Sequence, residues 1–197
     1  MEKHQHSSKE TQHLEETVKF LDGLERRNSF PPEEILQKLS IKKTNNILDL
    51  GAGTGYLTIP AAKMVDGLVY ALDMNQNMLE IIDCKAHDES ITNIQLVRGN
   101  IDNIPLPDDS IDIILASLVL HEIKPLSTTL QQIKRVLKDG GQFMCLEYEK
   151  NEDAIEGPPM QIRVPSSVME QELENAGLDI TQKIFFKKYI YVITAKK

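Results

Sequence analysis

The sequence has few of the features that mark disulfide-rich, membrane-spanning or metal-holding proteins. Its two cysteines, Cys84 and Cys145, are too few and too far apart for a disulfide framework or a thiolate metal site. It has no apolar run of the roughly 18 residues needed to span a membrane. The first residues contain no apolar segment of the kind that directs export. We therefore expect a cytoplasmic protein without a bound metal.

The sequence is also short of positive charge. Its formal net charge is −8, so a polymer of phosphates would be repelled on average, and a nucleic-acid partner is not expected. The 197 residues include 41% hydrophobic and 26% charged residues, which is ordinary for a soluble domain with a sizeable core. The oligomeric state cannot be read from these numbers.

The N-terminal region divides into two parts. Residues 1–13 are polar and contain three histidines (His4, His6 and His13). A metal site is one interpretation, but no apolar residue fixes their geometry, so we expect a disordered polar tail. The apolar residues of the stretch from 14 to 24 recur at helical spacing and predict an amphipathic helix. Residues 25–30 would link it to a second helix that begins at Pro31-Pro32.

The central feature is a glycine-rich turn that follows a short apolar strand. In Leu48-Asp-Leu-Gly51-Ala-Gly53-Thr-Gly55-Tyr56, three glycines alternate before a helical pattern begins. Glycine allows positive φ and a close approach of the backbone to a ligand. The dinucleotide fingerprint is G-x-G-x-x-G, whereas here Tyr56 holds the sixth position and would crowd a pyrophosphate. Asp49 lies two residues before the first glycine, where an ammonium group would be favoured over a phosphate.

The remaining pattern alternates strands and helices. We expect strands over 68–72, 94–97, 111–115, 142–148, 178–186 and 189–195. We expect helices over 56–65 and 75–88, and a third from Leu126 to a stop at Gly140-Gly141. A last helix would run from a capping box at Ser167-Val-Met-Glu170 to Gly177, and its residues expected to face the core are Val168, Met169, Leu173 and Ala176. This order predicts an α/β fold: a doubly wound, Rossmann-like sheet of about seven strands with helices on both faces and a terminal antiparallel hairpin.

The turn closely resembles motif I of class I S-adenosylmethionine-dependent methyltransferases. Pro31-Pro-Glu-Glu-Ile35, Leu118-Val-Leu-His-Glu122 and Arg135-Val-Leu-Lys-Asp-Gly-Gly141 are similar to the small methyltransferases of ubiquinone and menaquinone biosynthesis. The resemblance covers residues 31–197, which would form the methyltransferase domain, with residues 14–30 as a lid helix. It implies S-adenosylmethionine as the cofactor and methyl transfer to a small-molecule acceptor whose identity stays open.

The cofactor would be bound by residues after the first four strands. Asp73, 22 residues past Gly51, is expected to accept hydrogen bonds from the ribose hydroxyls, although it could instead cap the helix that follows. The resemblance implies that Asn100 and Ile101 meet the adenine ring, and Ile101 could equally be a core residue. The full predicted set is Asp49, Gly51, Ala52, Gly53, Thr54, Gly55, Tyr56, Asp73, Met74, Asn100, Ile101 and Ser117.

His121 is the candidate catalytic residue. It follows the fourth strand at the expected mouth of the site, and a general base is needed only if the acceptor must lose a proton. The alternative is a histidine held structurally, for example by Glu122. Glu147 and Tyr148, at the end of the fifth strand, either line the acceptor pocket or are ordinary polar residues of the sheet edge.

Several other functions agree less well with the sequence. Enzymes that methylate amino groups of nucleic acids carry Asn/Asp-Pro-Pro-aromatic after the fourth strand, where this chain has Ser117-Leu-Val-Leu. Arsenite methyltransferases need converging thiolates, and catechol-type enzymes need acidic metal ligands where Asp112 lies at the wrong end of the strand. A cofactor-binding module without activity and an NAD-dependent oxidoreductase remain as alternatives.

Overall fold

The computed structural model describes residues 17–151, 157–186 and 188–197. Seven strands form one sheet: β1 (Ile47–Leu50), β2 (Val69–Asp73), β3 (Ile94–Arg98), β4 (Ile111–Ser117), β5 (Leu137–Tyr148), β6 (Asp179–Phe186) and β7 (Ile190–Lys196). Their order is β3-β2-β1-β4-β5-β7-β6, with the first five parallel and β7 antiparallel to both of its neighbours. This is the predicted doubly wound sheet with a terminal antiparallel hairpin.

The helices cover both faces of the sheet. They are α1 (Leu24–Ser29), α2 (Pro32–Leu36), α3 (Thr58–Met64), α4 (Gln76–Asp88), α5 (Leu126–Val136) and α6 (Ser166–Asn175), with a short 3₁₀ helix at Leu120–Glu122. Successive side chains of a strand point to opposite faces. In β4, Ile114 and Ala116 pack with α5 and α6, whereas Ile113 and Leu115 pack with α2 and α3. None of the helices in the described part of the chain combines the length and hydrophobicity that a membrane crossing requires.

The strand order reverses between β1 and β4. Strand β1 pairs with β2 on one side and with β4 on the other, so the loops after β1 and β4 leave toward opposite faces. In open α/β sheets such a reversal opens a crevice at the carboxyl ends of the strands. The glycine turn follows β1 and the His121 segment follows β4, so both lie at this crevice.

The predicted end of the long helix is wrong. Helix α5 stops at Val136, and Gly140-Gly141 lies inside β5 instead of ending the helix. Leu137 already pairs with Ile111, and the β4–β5 register shifts between Ile111 and Ile113. Gly140 has a φ of +74°, and a Cβ on Gly141 would lie 2.7 Å from the Lys138 carbonyl oxygen. The glycines therefore permit an irregularity in the strand.

The predicted capping box is also wrong. Helix α6 begins at Ser166, and its N-cap residue, Pro165, makes no side-chain cap hydrogen bond. The Ser166 backbone N–H instead donates to the Glu149 carboxylate, 3.2 Å away. Val168 is 46% exposed, so it does not face the core, whereas Met169 and Leu173 are buried as predicted. A long-range carboxylate thus replaces the local cap.

The N-terminal segment differs from its prediction as well. Residues 1–16 lie outside the described residues, and with them the three histidines and the start of the predicted helix. Residues 17–21 are helical, the helix breaks at Asp22-Gly23, and α1 then covers most of the predicted link. Leu24, expected on the apolar side, is 76% exposed. Helix α1 instead packs through Arg26, which hydrophobic periodicity does not register.

Candidate active site

The glycine turn forms one wall of a cavity at the crevice. Gly51, Gly53 and Gly55 all have positive φ, at +64°, +53° and +84°. A Cβ on Gly51 would lie 2.5 Å from the Val119 side chain, on the segment after β4. Glycine is therefore required at position 51 both for its backbone conformation and for the close approach of the two loops.

Asp73 closes the opposite side of the turn. Its Oδ2 accepts from the Gly53 N–H at 2.9 Å, and its Oδ1 accepts from the Asn75 N–H at 2.8 Å. The N-cap of α4 is Asn75, whose side chain accepts from the Asn77 N–H, so the alternative that Asp73 caps the helix is wrong. Asp73 lines the cavity, and each of its oxygens retains acceptor capacity for a ligand.

Asp49 is a buried carboxylate on the floor of the cavity. Its Oδ2 accepts from the Thr58 hydroxyl at 2.6 Å. Burial raises the pKa of Asp49 to about 7, although the Thr58 hydrogen bond and the Arg26 charge act in the opposite direction. A cation that entered the cavity beside Asp49 would favour the ionised form and lower this pKa again.

The cavity has a volume of about 490 Å³ and is mainly apolar. Of the predicted site residues, those that line it are Asp49, Gly51, Ala52, Gly53, Tyr56, Asp73, Met74, Asn100, Ile101, Ser117 and His121. Thr54 and Gly55 do not line it. Thr54 is buried and its hydroxyl donates to Asp22 Oδ1 at 2.8 Å, while Gly55 packs beside Ile59 and Ile82. These two residues shape the turn from behind.

The end of the cavity beyond Asp73 is bounded by exposed and apolar groups. Met74 is 72% exposed at its rim, and Ile101 is buried and packs with the core as well as lining the cavity. Asn100 is exposed, and its Oδ1 accepts from the Asp102 N–H at 3.0 Å.

His121 and Glu147 form a buried pair at the other end. The His121 Nδ1–H donates to Glu147 Oε2 at 2.7 Å, and Glu147 Oε1 accepts from the Leu120 N–H at 2.8 Å. Burial favours a lower pKa for His121, but the hydrogen bond and charge of Glu147 outweigh burial and raise it. Glu147 is not an ordinary edge residue, because it is only 1% exposed and holds the imidazole. It is also not among the described residues that line the cavity, whereas Tyr148 is.

The contacts that fix His121 come from the strand ends. Leu118 has a φ of +58°, rare for a bulky residue, and its N–H donates to the Leu146 carbonyl at 2.9 Å. This turn carries His121 over the end of β5, beside Glu147. The Nε2 of His121 is the nitrogen left for a ligand, and the nearest carboxylate to it is that of exposed Glu122, at 4.0 Å.

Sequence reasoning missed the contribution of the N-terminal segment. Arg26 is buried and lines the cavity together with Leu21. The Tyr56 hydroxyl donates to the Phe30 carbonyl at 2.8 Å, and the Asp22 carboxylate accepts from Lys85 Nζ at 2.8 Å. These contacts join residues far apart in sequence and follow no short motif.

Comparisons with known proteins agree with this geometry. A family model described as a methyltransferase domain matches residues 48–145, which include the glycine turn and the His121 segment. A solved structure of a SAM-dependent methyltransferase from Aquifex aeolicus has a TM-score of 0.84 and 28% identity, covering 90% of this chain and 95% of that one. The chain belongs to the class I S-adenosylmethionine-dependent methyltransferases.

Curated relatives of the chain include demethylmenaquinone methyltransferases. A demethylmenaquinone methyltransferase from Geobacillus sp. (strain WCH70) is 34% identical over 117 residues, 58% of this chain and 50% of that protein. A second, from Listeria welshimeri, is 31% identical over 117 residues, with the same coverage. The chain spans about half the length of the curated relatives it matches. The predicted family and fold class are therefore confirmed.

The fold alone does not show that a protein is a methyltransferase. The [4+2]-cyclase SpnF has a TM-score of 0.76 with 16% identity, covering 84% of this chain and 80% of that one. That likeness shows the architecture and no more. The family match and the glycine turn distinguish a methyltransferase from other proteins of this shape.

Proposed function

We propose that this chain binds S-adenosylmethionine in the cavity and transfers its methyl group to a small-molecule acceptor. The observation that carries the proposal is the placement of two carboxylates on either side of the glycine turn. Asp49 and Asp73 line one cavity, and the turn that separates them has the positive-φ geometry that lets a ligand lie against the backbone. Such a site fits a ligand with a cationic end and a ribose.

We assign a role to each predicted binding residue from its place in the cavity or in the turn. Asp73 would accept hydrogen bonds from the ribose hydroxyls, and Asp49 would face the ammonium group. Met74, Asn100 and Ile101 would enclose the adenine ring, with Asn100 as an acceptor for its amino group. Gly51, Ala52, Gly53, Tyr56 and Ser117 would line the remaining length, and Thr54 and Gly55 would hold the turn in shape.

When bound, S-adenosylmethionine supplies an electrophilic methyl group on a sulfonium that leaves readily. The tasks left to the protein are to hold the acceptor in line and, for an acceptor hydroxyl or acidic C–H, to remove a proton. His121 would take this proton at Nε2. Glu147 would hold the imidazole with its proton on Nδ1 and stabilise the imidazolium that forms.

The N-terminal segment would act as a lid, with residues 14–30 forming the lid and residues 31–197 the methyltransferase domain. Within the described residues, Leu21 lies 3.3 Å from the position that a Cβ on Gly53 would occupy. Asp22 binds both Lys85 and the Thr54 hydroxyl, 2.8 Å from each. Opening of the segment would break these contacts together with the hydrogen bond from the Tyr56 hydroxyl to the Phe30 carbonyl, and closing over a ligand would restore them.

The acceptor is proposed only as a small molecule. The names of the relatives make demethylmenaquinone, in its reduced form, the first acceptor to assay. A nucleic-acid acceptor is disfavoured by the net charge of −8. The cytoplasmic location stays a prediction.

Isothermal titration calorimetry with S-adenosylmethionine and with NAD tests the binding step. We expect binding of the first and none of the second, and the reverse would replace methyl transfer by hydride transfer. Transfer of a labelled methyl group to reduced demethylmenaquinone then tests the reaction. Cofactor binding without transfer to any of a panel of hydroxylated ring compounds would favour the module without activity.

A further inference from the structure

Tyr148 lies at the end of the cavity away from Asp73. It ends β5, whereas Asp73 ends β2, and β1 and β4 lie between these two strands in the sheet. The Tyr148 side chain is buried and lines the cavity. Since the proposed ribose site is at Asp73, the part of the cavity at β5 is left for the methyl acceptor. His121, the proposed base, lies over the end of the same strand.

Gly157 and Pro158 form a stretch of the cavity wall beside Tyr148. Both residues line the cavity. Gly157 has a φ of +97°, and a Cβ there would lie 2.7 Å from Cδ1 and Cε1 of the Tyr148 ring. The backbone at position 157 therefore rests directly against the ring, as glycine permits. The Tyr148 ring is in turn stacked with that of Tyr189, with 6° between the ring planes and 6.4 Å between the centroids.

A buried arginine holds this wall in place. Arg163 is only 6% exposed, and its Nε donates to the Pro158 carbonyl at 2.8 Å. Its Nη1 donates to the Glu149 carbonyl at 3.4 Å, and its guanidinium carbon lies 5.3 Å from the centroid of the Tyr148 ring. The planar guanidinium thus joins the backbone of the wall to the end of β5. Loss of this side chain would release Pro158 from the strand.

The same arginine also acts on His121. Burial lowers the pKa of His121, the charges of Glu147 and exposed Glu122 raise it, and the charge of Arg163 lowers it. These groups come from β5, from the 3₁₀ helix of His121 itself and from the segment before α6. Arg163 is therefore close enough to the imidazole to oppose its protonation.

We propose that Arg163 is a positioning residue for the methyl acceptor, because it holds Gly157 and Pro158 against Tyr148 as a wall of the acceptor end. This inference rests on the proposed function and adds the element that orients the acceptor toward the methyl group. Methyl transfer requires the acceptor atom to be held in line, and a misplacement of about 1 Å can cost about 10²-fold in rate. A loosened wall would orient the acceptor poorly and leave the cofactor end of the cavity unchanged.

The test uses Arg163→Met, Arg163→Lys and the matched control Arg135→Met. Arg135 also holds a loop through backbone carbonyls, those of Leu106 at 2.9 Å and Ile104 at 2.7 Å, but it is not among the described residues that line the cavity. In calorimetry, the affinity of all three variants for S-adenosylhomocysteine should stay within about twofold of the wild type.

Transfer of a labelled methyl group to reduced demethylmenaquinone measures the acceptor end. Arg163→Met should lower kcat/KM for this acceptor by about 10- to 100-fold. Arg163→Lys should lose less, because lysine keeps the charge and a donor but not the planar fork. Arg135→Met should stay within about twofold of the wild type, even where it unfolds at a lower temperature.

Titration of the His121 imidazole by NMR, on the S-adenosylhomocysteine complex, needs no acceptor. Loss of a positive charge near the imidazole should raise its pKa, so the midpoint should move to higher pH in Arg163→Met. It should stay near the wild-type value in Arg163→Lys and Arg135→Met, which keep that charge.

Unchanged acceptor kinetics in Arg163→Met would overturn the proposal and make Arg163 a structural residue, whatever its Tm. A loss of S-adenosylhomocysteine affinity as large as the loss in kcat/KM would overturn it too, and so would an unshifted His121 titration. Failure of the wild type to bind S-adenosylhomocysteine, or to methylate any acceptor of the panel, would instead refute the proposed function.

Discussion

Replacing Glu147 by Gln tests the proposed base most directly. The change keeps the size of a side chain that is 1% exposed and removes only its charge. Gln can still accept from the Leu120 N–H through its oxygen, which leaves its NH₂ group facing His121 Nδ1. The imidazole would then have to accept at Nδ1 and carry its proton on Nε2. That tautomer cannot remove a proton from an acceptor at Nε2.

The expected loss of turnover follows from this change of tautomer. General-base catalysis contributes about 10²- to 10⁴-fold, and loss of the correct tautomer forfeits most of it. Glu147→Gln should therefore lower kcat by up to that factor while the affinity for S-adenosylhomocysteine stays nearly unchanged. His121→Ala should lose a similar factor, and the double variant should lose no more than either single change, because the two residues act as a unit.

The pH profile separates this role from a structural one. The pKa of His121 is raised, mainly because Glu147 offsets the burial that would lower it. A base must be neutral, so the rate of the wild type should rise as pH passes through that raised pKa. In Glu147→Gln the rising limb should move to lower pH. The stabilisation from the charged pair is present below pH 6.5 and lost as pH rises through the raised pKa, so the stability gap between the two proteins should narrow at high pH.

A particular result would refute the reasoning. If Glu147→Gln transfers methyl groups at the wild-type rate with an unshifted profile, His121 is not the base. Earlier thermal unfolding with normal turnover would identify the pair as structural.

Three further substitutions and one hydrogen-exchange measurement test other parts of the site. Asp73→Asn should weaken S-adenosylhomocysteine binding by about 1.5–3 kcal/mol in calorimetry, because a charged acceptor for the ribose is lost; full affinity would remove the ribose role. Gly53→Val should abolish binding, since φ there is +53° and the side chain would enter the cavity, and normal affinity would contradict the site. Amide exchange over residues 17–30 should slow when S-adenosylhomocysteine and an acceptor analogue are bound together; uniformly slow exchange in the free protein would indicate a fixed element instead of a lid. Asp49→Asn should raise Tm at pH 8 but not at pH 3.5, because a carboxyl pKa of about 7 in the fold penalises its ionisation at high pH, and an equal effect at both pH values would contradict that cause.

The sequence predicted the parts of the fold that depend on regular hydrophobic spacing or on residues close together in the chain. The β1 strand, the glycine turn and Asp73 are contiguous or regularly spaced in the sequence, and most of the predicted residues among them line one cavity. The errors fall where a distant partner overrides a local signal. Gly140-Gly141 reads as a helix stop, yet pairing of Leu137 with Ile111 begins the strand earlier. Ser167-Val-Met-Glu170 reads as a capping box, yet Glu149 supplies the acceptor at that helix start.

The same reason explains why the burial of Arg26 beside the cavity could not be predicted. Arg26 lies in a stretch that reads as a charged link, and an arginine beside a glutamate and another arginine normally indicates a solvated surface. Its burial depends on Tyr56 and Phe30 stacking around it and on the Tyr56 hydroxyl holding the Phe30 carbonyl. The two contacts of Tyr56 join the N-terminal segment to the residue that follows the glycine turn. From the sequence, Tyr56 is predicted only to crowd a pyrophosphate. Its aromatic ring is also the surface against which the Arg26 guanidinium packs, so one residue disfavours a dinucleotide and positions a buried cation beside the cavity.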